Sequence, residues 1–411
     1  MKNLQRRVTV LAAALSLTAA PSARAFEAID TISWPSRGLF PAYPADEIRP
    51  TGIMLEAGVM RDDNVLRTET APQADTITRV GGAVRHEQRI IGRQRLRLDA
   101  RGDYYKYDRS TNLDHAAYAL AGDWLWEAGN NLAGTLGAGY VQRQAALSET
   151  QANRLDLVKS AIVAGTAAYL ITPGLRLRGG LFGLKDERTE AVKTESNAAS
   201  VTAALEYVSP LLNTIGLEYR STQGEAPLAV GATGNPDYVE HELAVVATYA
   251  LGAQLRVAGR LGYTSRDYDQ ETDTQHNFAG PTGRMALDWL PGTKTVLRFE
   301  AYREPRSVID VAASHMIVAG VSFGPRWALT NKVVLGAQLL RERRVFDGDP
   351  SLGAGITRRD ELINLARISV GWEPVRFWQV SAAFDHGERE SNIVGRDYQF
   401  NAVMGNIAYA W

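Results

Sequence analysis

Cysteine is absent from the 411 residues, which excludes thiol nucleophiles, Cys-based zinc sites and any disulfide framework. An excess of one charge is missing too: 45 Lys and Arg stand against 46 Asp and Glu, a formal net charge of −1. That balance offers no basic face for nucleic acid. After residue 25 no apolar run reaches the length of about 18 residues that a helical span needs. A helical membrane protein is excluded. The histidines His86, His115, His241, His276, His315 and His386 show no metal-ligand spacing such as H-E-x-x-H, so neither metal nor cofactor is expected.

What is present begins with an address. Lys2, Arg6 and Arg7 form a positive start, Val8 to Ala20 is apolar, and Ala23-Arg24-Ala25 fits a small-x-small cleavage site. Residues 1–25 therefore read as a signal peptide. Its removal takes away four positive charges and no acids, so the net charge falls from −1 to −5. Residues 26–50 carry Pro35, Pro41, Pro44 and Pro50 and read as an extended periplasmic arm.

From there the chain repeats. Turn chemistry recurs near positions 92, 130, 173, 212, 252, 291, 331 and 374, in steps of 38, 43, 39, 40, 39, 40 and 43. Each turn is followed by strict alternation: Leu96, Leu98 and Ala100 interleave with Arg95, Arg97, Asp99 and Arg101. Leu175 and Leu177 interleave with Arg176 and Arg178, and Leu297 and Phe299 with Arg298 and Glu300. Period two makes these strands, with one apolar and one charged face. A polar stretch and a returning strand complete each unit. Eight turns bound nine hairpins, hence about 18 strands from Thr51 to Trp411. The expectation is an all-β, antiparallel outer-membrane barrel over 51–411, with short periplasmic turns, longer extracellular loops and both termini periplasmic.

Aromatic placement agrees. Trp126, Tyr169, Tyr207, Tyr249, Trp289, Trp327 and Trp372 each precede a short turn, and Trp411 ends the chain. Tyr140, Phe182, Tyr219, Tyr263, Tyr302 and Phe384 follow the turns by several residues. Two rings at fixed distances match the girdles that interfacial aromatics form at the headgroup level. Near the end, Phe400 and Met404 fall on the opposite parity to Val403, Ile407, Tyr409 and Trp411, implying a bulge or a lumen-facing Phe.

An apolar exterior sends charge inward, because Arg facing lipid at the midplane costs roughly 2–4 kcal/mol. The expected lumen residues are Arg79, Arg85, Arg95, Arg97, Asp99, Arg101, Arg176, Arg178, Glu206, Glu218, Arg256, Arg260, Arg284, Asp288, Arg298 and Glu300. They can pair across strands and stiffen the wall, line an arginine-rich conduit, or do both. A barrel of this strand number is roughly 35 Å across its backbone, too wide for side chains alone to fill. No loop looks long enough to be a plug; the longest, about Gln223 to Tyr238, is short for an infolded constriction.

Two motifs are set aside. Gly320-Val321-Ser322-Phe323-Gly324 spells G-x-S-x-G, with Asp360 and His386 downstream, but the motif needs a strand-to-helix elbow and here lies within a strand. No enzyme is expected. Asp62-Asp63-Asn64 reads as a side-chain-capped turn at a strand end rather than a cation site.

The segment Gly58 to Arg67, followed by Ala74-Asp75-Thr76-Ile77, resembles the opening of EpsL-type exopolysaccharide-biosynthesis outer-membrane proteins, VpsM-like members of the "putative beta-barrel porin 2" group. The family's D-D-N, hydrophobic pair and Arg fall on Asp62, Asp63, Asn64 and Arg67. The resemblance implies export of a secreted polysaccharide, with that cargo, outer-membrane lipid and periplasmic export or polymerisation proteins as partners. A general or solute-selective diffusion porin is the alternative. A surface scaffold or adhesin with a plugged barrel is the second.

Overall fold

Alternating apolar and charged residues build strands that can close only into a ring, since an open sheet edge in lipid leaves backbone groups unpaired. The computed structural model describes residues 51–411 except 190–194, 226–236, 253, 270–276, 311–312 and 348–357. The expected signal peptide and arm lie outside the described residues. The first six strands are β1 (Thr51–Asp62), β2 (Asp75–Arg89), β3 (Arg95–Tyr107), β4 (His115–Ala128), β5 (Leu132–Gln144) and β6 (Leu157–Thr172). Next come β7 (Leu175–Arg188), β8 (Glu195–Val208), β9 (Thr214–Glu225), β10 (Asp237–Leu251), β11 (Leu255–Tyr268) and β12 (Phe278–Gly292). The circuit ends with β13 (Thr295–Asp310), β14 (Ala313–Ala328), β15 (Val333–Asp347), β16 (Asp360–Trp372), β17 (Trp378–Ser391) and β18 (Tyr398–Ala410). A four-residue helix, α1 (Leu147–Thr150), lies between β5 and β6.

All 18 strands form one antiparallel sheet in sequence order, closed by β1 against β18 from Met54↔Ala410 to Asp62↔Ala402. The short turns fall between each even strand and the next, where the repeat placed them. We call this the turn end and the opposite rim the loop end. Gly92 and Gly129 sit in two of these turns at φ +59° and +64°, a conformation that Cβ disfavours.

The faces follow parity. Leu55, Leu181, Leu261 and Ile368 point outward and are 60–67% exposed to the surrounding medium, whereas Arg79 on the inner face is fully buried. The inner face itself is graded. On β11, Thr264 and Arg266 near the loop end are buried, while Arg256 near the turn end is exposed. Arg266 is covered by its bonds to Glu240 and by the Tyr238 ring, 4.2 Å from its guanidinium, and elsewhere the loop end holds a small core. Met60, Ile77, Tyr107, Ala383, Tyr398, Phe400, Ala402 and Met404 from the wall meet Val65, Leu66 and Leu113 from the connecting loops. Burying Leu113 completely contributes about 1.5–3 kcal/mol. β18 pairs without a bulge, so of the two alternatives for Phe400 the lumen-facing one holds. It lies flat across Gly387, its cross-strand partner, where an added Cβ would stand 2.2 Å from the ring.

Seven of the eight residues of the turn-side ring are exposed outward: Tyr169, Tyr207, Tyr249, Trp289, Trp327 and Trp372 at 44–55%, and Trp411 at 54%. Trp126 is half-buried, because it packs over Gly134, where a Cβ would come within 2.4 Å of the indole. The second ring is less complete. Tyr219, Tyr263 and Phe384 are exposed outward, and Tyr140 stacks on outward Tyr118 with centroids 5.9 Å apart. Phe182 and Tyr302 do not belong to it. Phe182 shares the inward parity of Arg176 and Arg178, and Tyr302 is buried in the lumen, donating to Glu342.

Candidate functional site

The residues expected on the inner wall share the parity of buried Arg79 on their strands, and ion pairing joins nearly all of them. At the turn end Arg95 and Arg97 both reach Glu87, at 3.0 and 3.3 Å. Arg85 meets Asp99 at 2.5 Å, and Arg298 holds Asp288 through two bonds of 2.7 and 2.9 Å. Arg176 and Arg178 share Glu206, and Arg178 also reaches Glu218 at 2.6 Å. Arg260 pairs with Glu242 at 2.6 Å and Glu218 at 3.1 Å. Nearer the loop end Arg79 pairs with Glu56 and Asp103, Arg101 reaches the same two carboxylates, and Arg284 meets Glu304 at 2.7 Å. Arg256 and Glu300 carry neither hydrogen bond nor ion pair among the described residues, and Arg256 is open to the lumen. Such cross-strand ladders keep a wide wall stiff while leaving a polar surface.

The expectation that no loop enters the barrel is corrected here. The segment between β5 and β6 turns inward and carries α1 across to β15 and β17, on the far side of the ring. Glu149 on α1 accepts from Arg359 at 2.9 Å and Arg344 at 3.1 Å, with Arg389 at 3.9 Å. Backbone contacts fix the same piece: Arg389 donates to the Ser148 carbonyl at 2.8 Å and Arg396 to the Glu149 carbonyl at 3.2 Å. Gln151 donates to the Arg67 carbonyl at 2.7 Å, joining this loop to the one after β1. Glu342 and Glu361 balance the cluster from the wall, meeting Arg344 at 2.7 Å and Arg359 at 2.6 Å. Burial alone would push the Glu149 carboxyl up, but the guanidiniums of Arg359, Arg344 and Arg389 outweigh it and hold the group down to about 2. It stays ionised at neutral pH.

This cluster escaped the sequence reading. Loop length gives no sign of it, because the segment from 145 to 156 needs little length where the arginines opposite reach toward it. The one available signal was parity: Arg344 and Arg389 fall on the inward face of their strands without a cross-strand acid sufficient for both.

The Asp62, Asp63, Asn64 and Arg67 motif forms a clip rather than a solute site. Arg67 binds the Asp62 carboxylate through bonds of 2.9 and 2.8 Å, both groups buried, and its guanidinium lies 3.6 Å from the Phe400 ring centroid. The Asn64 amide N–H caps onto Asp62 at 2.9 Å, and the Asn64 side chain donates to Thr68 and Gln399 carbonyls. Asp63 accepts twice from Asn401, at 2.7 and 2.9 Å. The loop is thereby tied to β18, as the capped-turn reading required. Between it and α1 lies a pocket of about 190 Å³ lined in part by Tyr105, Tyr107, Arg143, Arg367 and Phe400.

No hydrolase triad forms. Ser322 faces the lumen with Glu300, whereas Asp360 and His386 stand on the outer face, paired with Arg343 and Asn401. Among the described residues no group of three His, Asp or Glu is arranged to hold a metal ion.

Residues 250–410, from the end of β10 to β18, match the family model described as "Putative beta-barrel porin 2". No curated protein matches the chain. Solved structures with this fold include OpdK of Pseudomonas aeruginosa, at TM-score 0.51 and 10% identity over 88% of this chain and 99% of that one. The same protein with vanillate gives the same figures. OccK2 (OpdF) of Pseudomonas aeruginosa, in complex with glucuronate, gives TM-score 0.50 and 12% identity over 88% of this chain and 97% of that one. At these identities the likeness establishes fold alone, and the fold is that of a porin-like outer-membrane barrel.

Proposed function

We propose that the protein is a solute-selective diffusion channel of the Gram-negative outer membrane that passes small organic anions. The turn end, with both described termini, faces the periplasm. The observation that carries this reading is the loop bearing α1, held across the lumen by Glu149. It narrows the loop end, while the arginine-lined turn end stays open. Anions are favoured because exposed Arg256 makes no hydrogen bond or ion pair among the described residues, its cross-strand neighbour Asp288 being held by Arg298, and a field confined between low-dielectric walls is concentrated. The glucuronate and vanillate bound to the fold's solved relatives are small carboxylates of the same class.

Polysaccharide export is the second reading, supported by the motif on Asp62, Asp63, Asn64 and Arg67. A loop held across the lumen by Glu149 weighs against so wide a cargo. Swelling of liposomes reconstituted with the full chain separates the two. Small carboxylates should enter quickly and oligosaccharides should be excluded. Ready entry of oligosaccharides would favour export.

A further inference from the structure

Lipid-facing strands exclude charge near the midplane and tolerate it toward the interface, where an outward Arg costs about 0–1 kcal/mol. Even there, cations gathered on one outer patch need a counter-charge. β13 to β15 carry such a patch near the loop end. Arg303 and Arg343 flank Ala319 in a single cross-strand row, and Arg341 stands in the adjoining row beside Val321.

Their partners do not balance them. Arg343 binds Asp360, with one bond at 3.0 Å, and Arg303 donates to the Pro281 carbonyl. Arg341 has no hydrogen bond or ion pair among the described residues and is exposed. Among the described residues, three guanidiniums therefore meet one carboxylate. Beneath them the outer surface is hollow. Gly283, Ala301 and Ala319 are too small to fill it, and Met285 and Pro281 wall one side of a groove of about 880 Å³. Apolar floor and cationic rim belong to the same groove, since Arg303, Arg341 and Arg343 all line it.

We infer that this groove holds one molecule of a phosphorylated, polyacylated glycolipid of the outer leaflet, an acyl chain along Gly283, Ala301 and Ala319 and a phosphate against Arg341 and Arg303. Charge complementarity selects this occupant. Guanidinium forks bind phosphate oxygens in pairs, and a glycolipid phosphate sits at the headgroup level while its chains run down the barrel wall. The occupant's leaflet follows from placing the loop end outside the cell.

The test is native mass spectrometry of the full chain in detergent, titrated with a purified diphosphorylated, hexa-acylated glucosamine disaccharide lipid. One molecule should bind, and R303Q/R341Q should weaken it by about tenfold or more, from the loss of charge-assisted bonds. Neither residue holds the barrel together, and unchanged heat-modifiable mobility verifies the fold. Ala319→Phe, which fills the floor and leaves the arginines in place, should also displace the lipid. Equal affinity in both variants would overturn the site. Equal binding of the dephosphorylated lipid, or of phosphatidylglycerol, would overturn the assigned headgroup.

Discussion

Replacing Glu149 by Gln removes one charge from the lumen while preserving the shape of α1. In the native protein this carboxylate meets Arg359 at 2.9 Å and Arg344 at 3.1 Å, and its side chain is only one-fifth exposed. Its pKa falls from an ordinary 4.5 to about 2, equivalent to about 3 kcal/mol of preference for the ionised, docked form. The variant should lose a stabilisation of that order, which shifts the docked-to-released ratio of the loop by roughly a hundredfold. The barrel should still fold, because Glu342 and Glu361 continue to neutralise Arg344 and Arg359. Single channels in planar bilayers should then show higher conductance and frequent flicker. Acid should mimic the substitution, with a definite sign. A carboxyl whose pKa is depressed in the folded state contributes stability that is full above its unfolded value of about 4.5. That contribution fades as pH falls toward 2, so wild-type conductance should hold steady from pH 8 to 5 and rise only in strong acid. A Glu149→Gln channel with native conductance and quiet current would refute the latch.

Three further outcomes follow from particular contacts. Gly387→Ala places a Cβ 2.2 Å from the Phe400 ring and should destabilise the barrel by about 1–3 kcal/mol through overpacking, read as a lower temperature for the loss of heat-modifiable mobility. Arg67→Ala leaves buried Asp62 without its partner and should cost about 3–5 kcal/mol, with faster proteolysis between β1 and β2 as the visible sign. Arg178→Gln breaks bonds to Glu206 and Glu218 and should lower stability, whereas Arg256→Gln should leave stability unchanged and reduce anion selectivity.

The fold was legible because hydrophobic period and turn spacing are local properties. Eight turns and strict alternation yield 18 strands, and the parity of Leu175 and Leu177 against Arg176 and Arg178 assigns the two faces. The same parity places Phe182 with Arg178 and Tyr302 with Arg298, and distance from a turn alone does not separate such inward rings from girdle residues. The path of a loop is different in kind. The course of the segment around Glu149 depends on Arg344, Arg359 and Arg389, some two hundred residues away in sequence and brought near only by closure of the ring. Pairing was foreseeable as a type of interaction, but which arginine would lack an acid depends on register. Arg178 and Arg256 look alike in sequence, yet Arg178 reaches Glu206 and Glu218 diagonally, whereas the Asp288 opposite Arg256 is held by Arg298.

The central claim is a channel for small organic anions. Its most direct test is the reversal potential of the reconstituted full chain under a salt gradient, measured with chloride and then with glucuronate as the anion. An anion-selective potential that persists with glucuronate is predicted. A cation-selective potential, or current that stops when glucuronate replaces chloride, would contradict it.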